Sequence, residues 1–128
     1  MAFTRSRLLT LTTLITALSV SGSAFAHAHL QHQYPAANAA ANAAVSASPQ
    51  AITLNFSEGV EVNFSGITLT GPQQTAVKTG TAKRNEKDDK QLIVPIQEAL
   101  KPGDYQVDWH VVSVDGHKTK GKYVFSVK

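Results

Sequence analysis

The sequence contains no cysteine, and its only methionine is Met1. Without cysteine, an exported domain has no disulfide bonds and is stabilised by packing alone, and it has no thiolate to offer a metal ion. If the N-terminus is removed, the chain also loses Met1 and with it the last sulfur ligand for a soft ion such as Cu(I). Any metal site in the remaining chain therefore uses nitrogen and oxygen ligands.

Basic residues are few once the first 26 residues are set aside. The full chain has a formal net charge of +3, but removing Arg5 and Arg7 leaves ten basic against nine acidic residues, a charge of about +1. No cluster of lysine and arginine with interleaved aromatic residues is present in the sequence. Nucleic acid is therefore not an expected partner.

The N-terminal stretch has the three parts of an export signal. Arg5 and Arg7 precede an apolar run over 8–20, and Ala24-Phe25-Ala26 forms an A-x-A cleavage motif. The run is interrupted by hydroxyl side chains and is shorter than the roughly 20 apolar residues of a membrane span. We expect residues 1–26 to be a cleaved secretory signal and residues 27–128 to form one domain, with no membrane insertion of the mature chain.

Cleavage after Ala26 would make His27 the first residue of the mature protein. A terminal histidine offers a free α-amine and an imidazole that can chelate one metal ion together, which an internal histidine cannot do. Processing would then complete a ligand set as well as export the protein.

From residue 51 onward, apolar and polar residues alternate with a period of two. This alternation is typical of strands with one buried face, and turn residues such as Gly71-Pro72, Pro102-Gly103 and Asp115-Gly116 separate the runs. We predict an all-β fold, a single antiparallel β-sandwich of about seven strands that is Ig-like in outline. The predicted strands lie in 27–34, 51–57, 67–70, 76–83 (a weaker one), 91–96, 105–111 and 123–127. The stretches 36–48 and 85–90 are predicted to be a long connection and a solvated, charged loop.

The five histidines fall into two groups, His27, His29 and His32 near the N-terminus and His110 and His117 around the last turn. Asp115-Gly116-His117 places a carboxylate and an imidazole around a glycine, where a tight loop can direct both at one point. Amine, imidazole and carboxylate form a set that suits Cu(II), although zinc can use the same groups in a tetrahedral arrangement. Spacing alone does not link residue 27 to this turn, and taken alone Asp115-Gly116 is better explained as a plain hairpin turn.

Five motifs of the mature chain occur in an order and spacing shared with a known family. They are His27-Ala28-His29-Leu30, Leu54-Asn55-Phe56-Ser57-Glu58, Phe64-Ser65-Gly66, Leu100-Lys101-Pro102-Gly103-Asp104-Tyr105, and Val107-Asp108-Trp109-His110-Val111-Val112-Ser113-Val114-Asp115-Gly116-His117. Through them, almost the whole of residues 27–128 resembles the CopC family of periplasmic copper-binding proteins.

The resemblance implies a cupredoxin-like Greek-key sandwich that binds one Cu(II) ion per chain in the periplasm. It carries the ligand roles onto His27 (through its amine and imidazole Nδ1), Asp115 and His117, with Glu58 as an acidic neighbour. It further implies a non-enzymatic role in copper homeostasis or resistance, with a CopD-type inner-membrane protein as partner. Some relatives carry a methionine-rich Cu(I) loop, whereas residues 71–90 here contain no methionine. We therefore expect Cu(II) alone to be bound.

Two alternatives compete with this interpretation. A free amine followed by a histidine at the third position, as in His27-Ala28-His29, can wrap Cu(II) in a plane with two deprotonated backbone amides. That geometry would remove those amides from any strand, at the cost of their hydrogen bonds, and otherwise His29 is a strand residue that supports the site. The second alternative is a histidine-brace copper oxygenase acting on polysaccharide, for which the chain has few surface aromatic residues. His32 and His110 are predicted to be surface residues, and Trp109 a core residue.

Overall fold

The computed structural model describes residues 28–38 and 44–128. The predicted signal peptide, its cleavage site and His27 lie outside the described residues. Within the described part of the chain, no helix is both long and apolar enough to cross a membrane.

Seven strands in the described residues form two antiparallel sheets, as predicted. One sheet has the order β1-β2-β5-β4 and the other the order β3-β6-β7. The chain changes sheet after β2, after β3 and after β5, which stacks the two sheets into a sandwich. The strands are β1 (Leu30–Tyr34), β2 (Ala51–Phe56), β3 (Gly66–Thr70), β4 (Lys83–Asn85), β5 (Asp88–Pro95), β6 (Gly103–Val112) and β7 (Lys118–Val127).

The core lies between the sheets and follows the predicted alternation. Every second residue of β2 and β6 is buried, because successive side chains of a strand point to opposite faces. Trp109 is 8% exposed and meets Phe56 of the facing sheet edge-to-face, with ring centroids 5.2 Å apart. Trp109 therefore joins the two sheets, which confirms its predicted place in the core.

The β6–β7 hairpin is the longest pairing in the molecule, and it fixes the turn that carries the predicted ligands. Its register runs without interruption from Gly103 opposite Val127 to Val112 opposite Lys118. At the far end, Tyr105 Oη donates a hydrogen bond of 2.7 Å to the Lys101 carbonyl, which ties the entry of β6 to the preceding loop. The turn at 113–117 thus extends from a rigid two-stranded ribbon.

The prediction for 76–90 is partly wrong. Residues 85–90 were predicted to be a solvated loop, but they include the end of β4, a tight turn and the start of β5. Asn85 Oδ1 accepts the Lys87 amide at 2.9 Å, which closes the turn with a side-chain bond. The predicted strand over 76–83 is reduced to isolated bridges at Ala76 and Thr79 before β4 begins. Charged residues are accommodated in β4 because it is an edge strand, with one side open to solvent.

Candidate metal centre

The turn between β6 and β7 brings Asp115 and His117 together. Gly116 donates its amide to the Ser113 carbonyl at 2.8 Å, and Ser113 donates its own amide to the His117 carbonyl at 2.9 Å. Gly116 adopts φ +89°, in the left-handed region that glycine enters without steric cost. These bonds describe a three-residue hairpin loop whose last residue is left-handed.

The two predicted ligands of this turn are in direct contact. His117 Nδ1 lies 3.0 Å from Asp115 Oδ2, and both side chains are partly exposed, at 42% and 37%. Two ligand atoms at right angles around an ion with bonds of about 2.1 Å are about 3.0 Å apart, so the spacing suits adjacent positions on one ion. The two side chains thus form a partly exposed ion pair, and its two atoms have the spacing that neighbouring ligands of one ion would need.

The carboxyl group of Asp115 is held in its charged form. A hydrogen bond from Ser113 Oγ, followed by the contact with the His117 imidazole, lowers the pKa of Asp115 to about 2. The His117 amide also points at Asp115 Oδ1, at 3.4 Å. An ionised carboxylate beside an imidazole is the form that a divalent cation requires.

The segment 57–60, which follows β2, joins this turn to the N-terminal strand. Val114 donates its amide to the Gly59 carbonyl at 2.9 Å, and Val60 pairs with Ser113 as an isolated antiparallel bridge. Glu58 lies in this segment and is partly buried. The segment therefore runs along the turn that carries both predicted ligands.

The same segment holds the chain just before β1. His29 donates its amide to Ser57 Oγ at 2.8 Å, and Ser57 donates its amide to the His29 carbonyl at 2.8 Å. Ala28 is fully buried and belongs to the hydrophobic core. The first described residues of the chain are therefore anchored within two residues of Gly59, the contact point of the ligand turn.

A further carboxylate is present at this end of the sandwich. A Cβ placed on Gly59 would lie 2.8 Å from Asp89 Oδ2 and 3.1 Å from Val114 Cγ1. Asp89 therefore contacts the 57–60 segment, which also carries Glu58. From the sequence, Asp89 was expected in a solvated loop, with no link to this region.

The described residues hold part of the predicted ligand set. Asp115 and His117 meet, while no group of three histidine or acidic side chains suited to a metal ion occurs within 28–38 and 44–128. His27 lies outside these ranges. The ligand roles of His27, Asp115 and His117 all stay predictions, as does the place of Glu58 beside them. His32 and His110 are exposed strand residues, as expected. Ser113 was not among the residues singled out from the sequence, although it continues the alternating buried positions of β6 (Val107, Trp109, Val111).

Comparison with known proteins assigns the family. Residues 34–128 match the CopC domain, a range that includes the turn with both predicted ligands. The chain belongs to the CopC family. Protein YobA of Escherichia coli K12 is 66% identical over 115 residues, which cover 90% of each chain. Copper resistance protein C of Escherichia coli is 37% identical over 121 residues, covering 87% of this chain and 89% of the relative.

The fold agrees with that of a solved family member. The crystal structure of PcoC, a methionine-rich copper resistance protein from Escherichia coli, superimposes with a TM-score of 0.69 at 35% sequence identity. The match covers 80% of this chain and all of PcoC. This chain, with Met1 as its only methionine, shares the sandwich of PcoC but not its methionine content.

Proposed function

We propose that the mature chain is a periplasmic Cu(II)-binding protein of copper homeostasis or resistance. In this proposal the signal peptide 1–26 is cleaved after Ala26, and residues 27–128 bind one Cu(II) ion through the His27 amine and imidazole, Asp115 and His117. The protein carries or sequesters the ion without catalysis, and it passes copper to a CopD-type inner-membrane partner. Membership of a family that includes copper resistance proteins supports the choice of metal.

The observation that carries the proposal is the contact between Asp115 and His117. Their ligand atoms are 3.0 Å apart at the end of a rigid hairpin, so binding requires little rearrangement of either side chain. The carboxylate offsets part of the charge of a divalent ion. The absence of cysteine, and of methionine beyond Met1, favours Cu(II) over Cu(I).

Chain geometry supports His27 as the third ligand residue. His27 precedes His29 by two residues, a reach of about 7 Å in extended chain. His29 is bonded to Ser57, and the carbonyl of Gly59, two residues further on, accepts the Val114 amide of the ligand turn. A terminal histidine at this position can therefore approach the turn while the hydrogen bonds of His29 stay intact.

The competing planar chelate at His29 is disfavoured by the same contacts. That geometry deprotonates the amides of Ala28 and His29, but the His29 amide is bonded to Ser57 Oγ and Ala28 is fully buried. Forming the planar chelate would break the bond and withdraw Ala28 from the core. Each step costs free energy that the site at Asp115 and His117 does not require.

The test is a Cu(II) competition titration of protein that begins at His27, combined with electron paramagnetic resonance. His117→Ala should weaken binding strongly and remove one imidazole nitrogen coupling from the spectrum. His29→Ala should leave affinity and couplings near those of the parent. His110→Ala, which removes an exposed histidine of β6 outside the predicted ligand set, is the matched control. Loss of binding with His29→Ala but not with His117→Ala would establish the planar chelate instead. Ascorbate-driven oxidation of a glycan by the copper-loaded protein would contradict the non-enzymatic role.

A further inference from the structure

Ser113 is a polar residue at an inward-facing position, whereas the buried residues that precede it on β6 are apolar. It continues the inward-facing series of β6 and is fully buried. A buried hydroxyl is costly unless it forms a hydrogen bond, so its partner indicates what the residue does. The partners of the Ser113 hydroxyl among the described residues, Asp115 and His117, both lie in the ligand turn.

The hydroxyl of Ser113 has one proton and two acceptors within reach. It donates to Asp115 Oδ1, and the His117 carbonyl lies 3.2 Å from the same oxygen. The carboxylate is the stronger acceptor because it is charged. The Ser113 hydroxyl therefore donates its one hydrogen bond to Asp115.

This bond determines which carboxylate oxygen remains available. Oδ1 faces the Ser113 hydroxyl and the His117 amide, while Oδ2 faces His117 Nδ1 at 3.0 Å. Without the Ser113 bond, this 37% exposed aspartate would keep only the long contact with the His117 amide and the contact with the partly exposed imidazole, and we expect it to exchange between staggered rotamers. The turn itself does not depend on the hydroxyl, because the backbone of Ser113 bonds to Gly116 and His117 independently.

We propose that Ser113 is a positioning residue for the metal site: its buried hydroxyl holds Asp115 Oδ1 and presents Oδ2 beside the His117 imidazole. The inference rests on the proposed function in naming Cu(II) as the ion. The orientation of the carboxylate is a property of the copper-free protein and can be measured without the metal.

The first measurement is Cu(II) affinity in Ser113→Ala, which we expect to be about 10- to 100-fold weaker than in the parent, the usual effect of losing a group that orients a ligand. Ser65→Ala is the matched control, since the Ser65 hydroxyl donates to the Glu61 carbonyl and accepts from the Val112 amide near the same end of the fold. It should retain parental affinity. Ser113→Thr, which keeps the hydroxyl, should recover most of the loss.

A double-mutant cycle separates positioning from general destabilisation. In an Asp115→Ala background, Ser113→Ala should have no further effect on Cu(II) affinity, because the residue acts through a carboxylate that is gone. Equal affinity of Ser113→Ala and the parent, or an undiminished loss in the Asp115→Ala background, would overturn the inference.

The copper-free protein supplies an independent readout. Three-bond coupling constants of Asp115 should report one χ1 rotamer in the parent and averaging in Ser113→Ala. One fixed rotamer in both proteins would refute the positioning role. If the parent binds no Cu(II), the proposed function fails, while the rotamer measurement still decides whether Ser113 orients Asp115.

Discussion

Replacing Gly116 by alanine tests whether the ligand turn depends on a left-handed backbone. Gly116 has φ +89°, and a Cβ added there would meet no atom within 4 Å. The penalty for alanine therefore comes from its own backbone and not from a clash. Holding an L-residue in the left-handed region costs about 1–2 kcal/mol, and asparagine tolerates it better. We expect Gly116→Ala to lower the free energy of unfolding by about that amount and Gly116→Asn to lower it less.

Urea unfolding of the copper-free protein measures this loss directly. For a domain of this size, about 1 kcal/mol corresponds to roughly 4–8 °C in melting temperature. Cu(II) affinity should fall as well in Gly116→Ala, because any relaxation of the strained φ rotates Asp115 relative to His117. An unfolding free energy equal to that of the parent would refute the need for a left-handed residue. A loss above about 3 kcal/mol would indicate a clash that the open space around Gly116 excludes.

Three further predictions concern the terminus, pH and the core. One additional residue before His27 should weaken Cu(II) binding sharply, because the amine–imidazole chelate is lost; competition titration with equal affinity for both forms would contradict it. Affinity should fall between pH 7 and pH 5, since amines and imidazoles ordinarily have pKa values of about 7.7–8.0 and 6.5. The pKa of Asp115 is lowered from 3.8 to about 2, so its contribution to stability is complete above 3.8 and lost only as pH falls through 2. The contribution of Asp115 is therefore retained at pH 5, so circular dichroism at pH 5 should still show a folded protein while competition titration shows weaker Cu(II) binding. Gly121→Ala should lower the unfolding free energy by about 1–3 kcal/mol, since its Cβ would lie 2.5 Å from Trp109 Cζ2, and unchanged urea unfolding would refute that contact.

Period-two alternation was sufficient to predict the class of fold and its core. Ile52, Leu54 and Phe56 are buried on one face of β2, and Trp109 is buried on β6, as the pattern indicates. Alternation is a local signal that reports burial of one strand face directly. It does not report register, which depends on partners distant in the sequence.

Residues 85–90 show where local sequence patterns stop predicting the structure. Their charges and lack of apolar residues favour a loop, yet the hairpin forms because β5 pairs on its other side with β2. The apolar anchors Leu92 and Val94 lie further along β5 and fix the whole strand, including its charged beginning. The strand is stabilised by tertiary pairing, which overrides the preference of the charged residues.

The candidate site was predicted in part for a similar reason. Asp115 and His117 are two residues apart, so their contact follows from a local turn. Ser113 could have been found from the sequence. It is a serine at a position where the alternating pattern of β6 predicts a buried residue, and it lies two residues before the candidate carboxylate. Ser57 carried no such signal, because its bond to His29 spans 28 residues and depends on the pairing of β1 with β2.

In the folded chain, the His29 amide is bonded to Ser57 and Ala28 is buried in the core. In an unfolded mature chain, the terminal His27-Ala28-His29 sequence would persist, and its amides would be released from Ser57 and the core. The proposed Cu(II) ion would then have a ligand set in the unfolded state as well, the planar chelate that the fold disfavours. Binding to the unfolded state reduces the stability that a ligand confers on the native state. Adding Cu(II) should therefore raise the free energy of unfolding by less than the affinity of the native site implies. In His29→Ala, which removes the planar chelate of the unfolded chain, the measured gain should match the one calculated from that affinity.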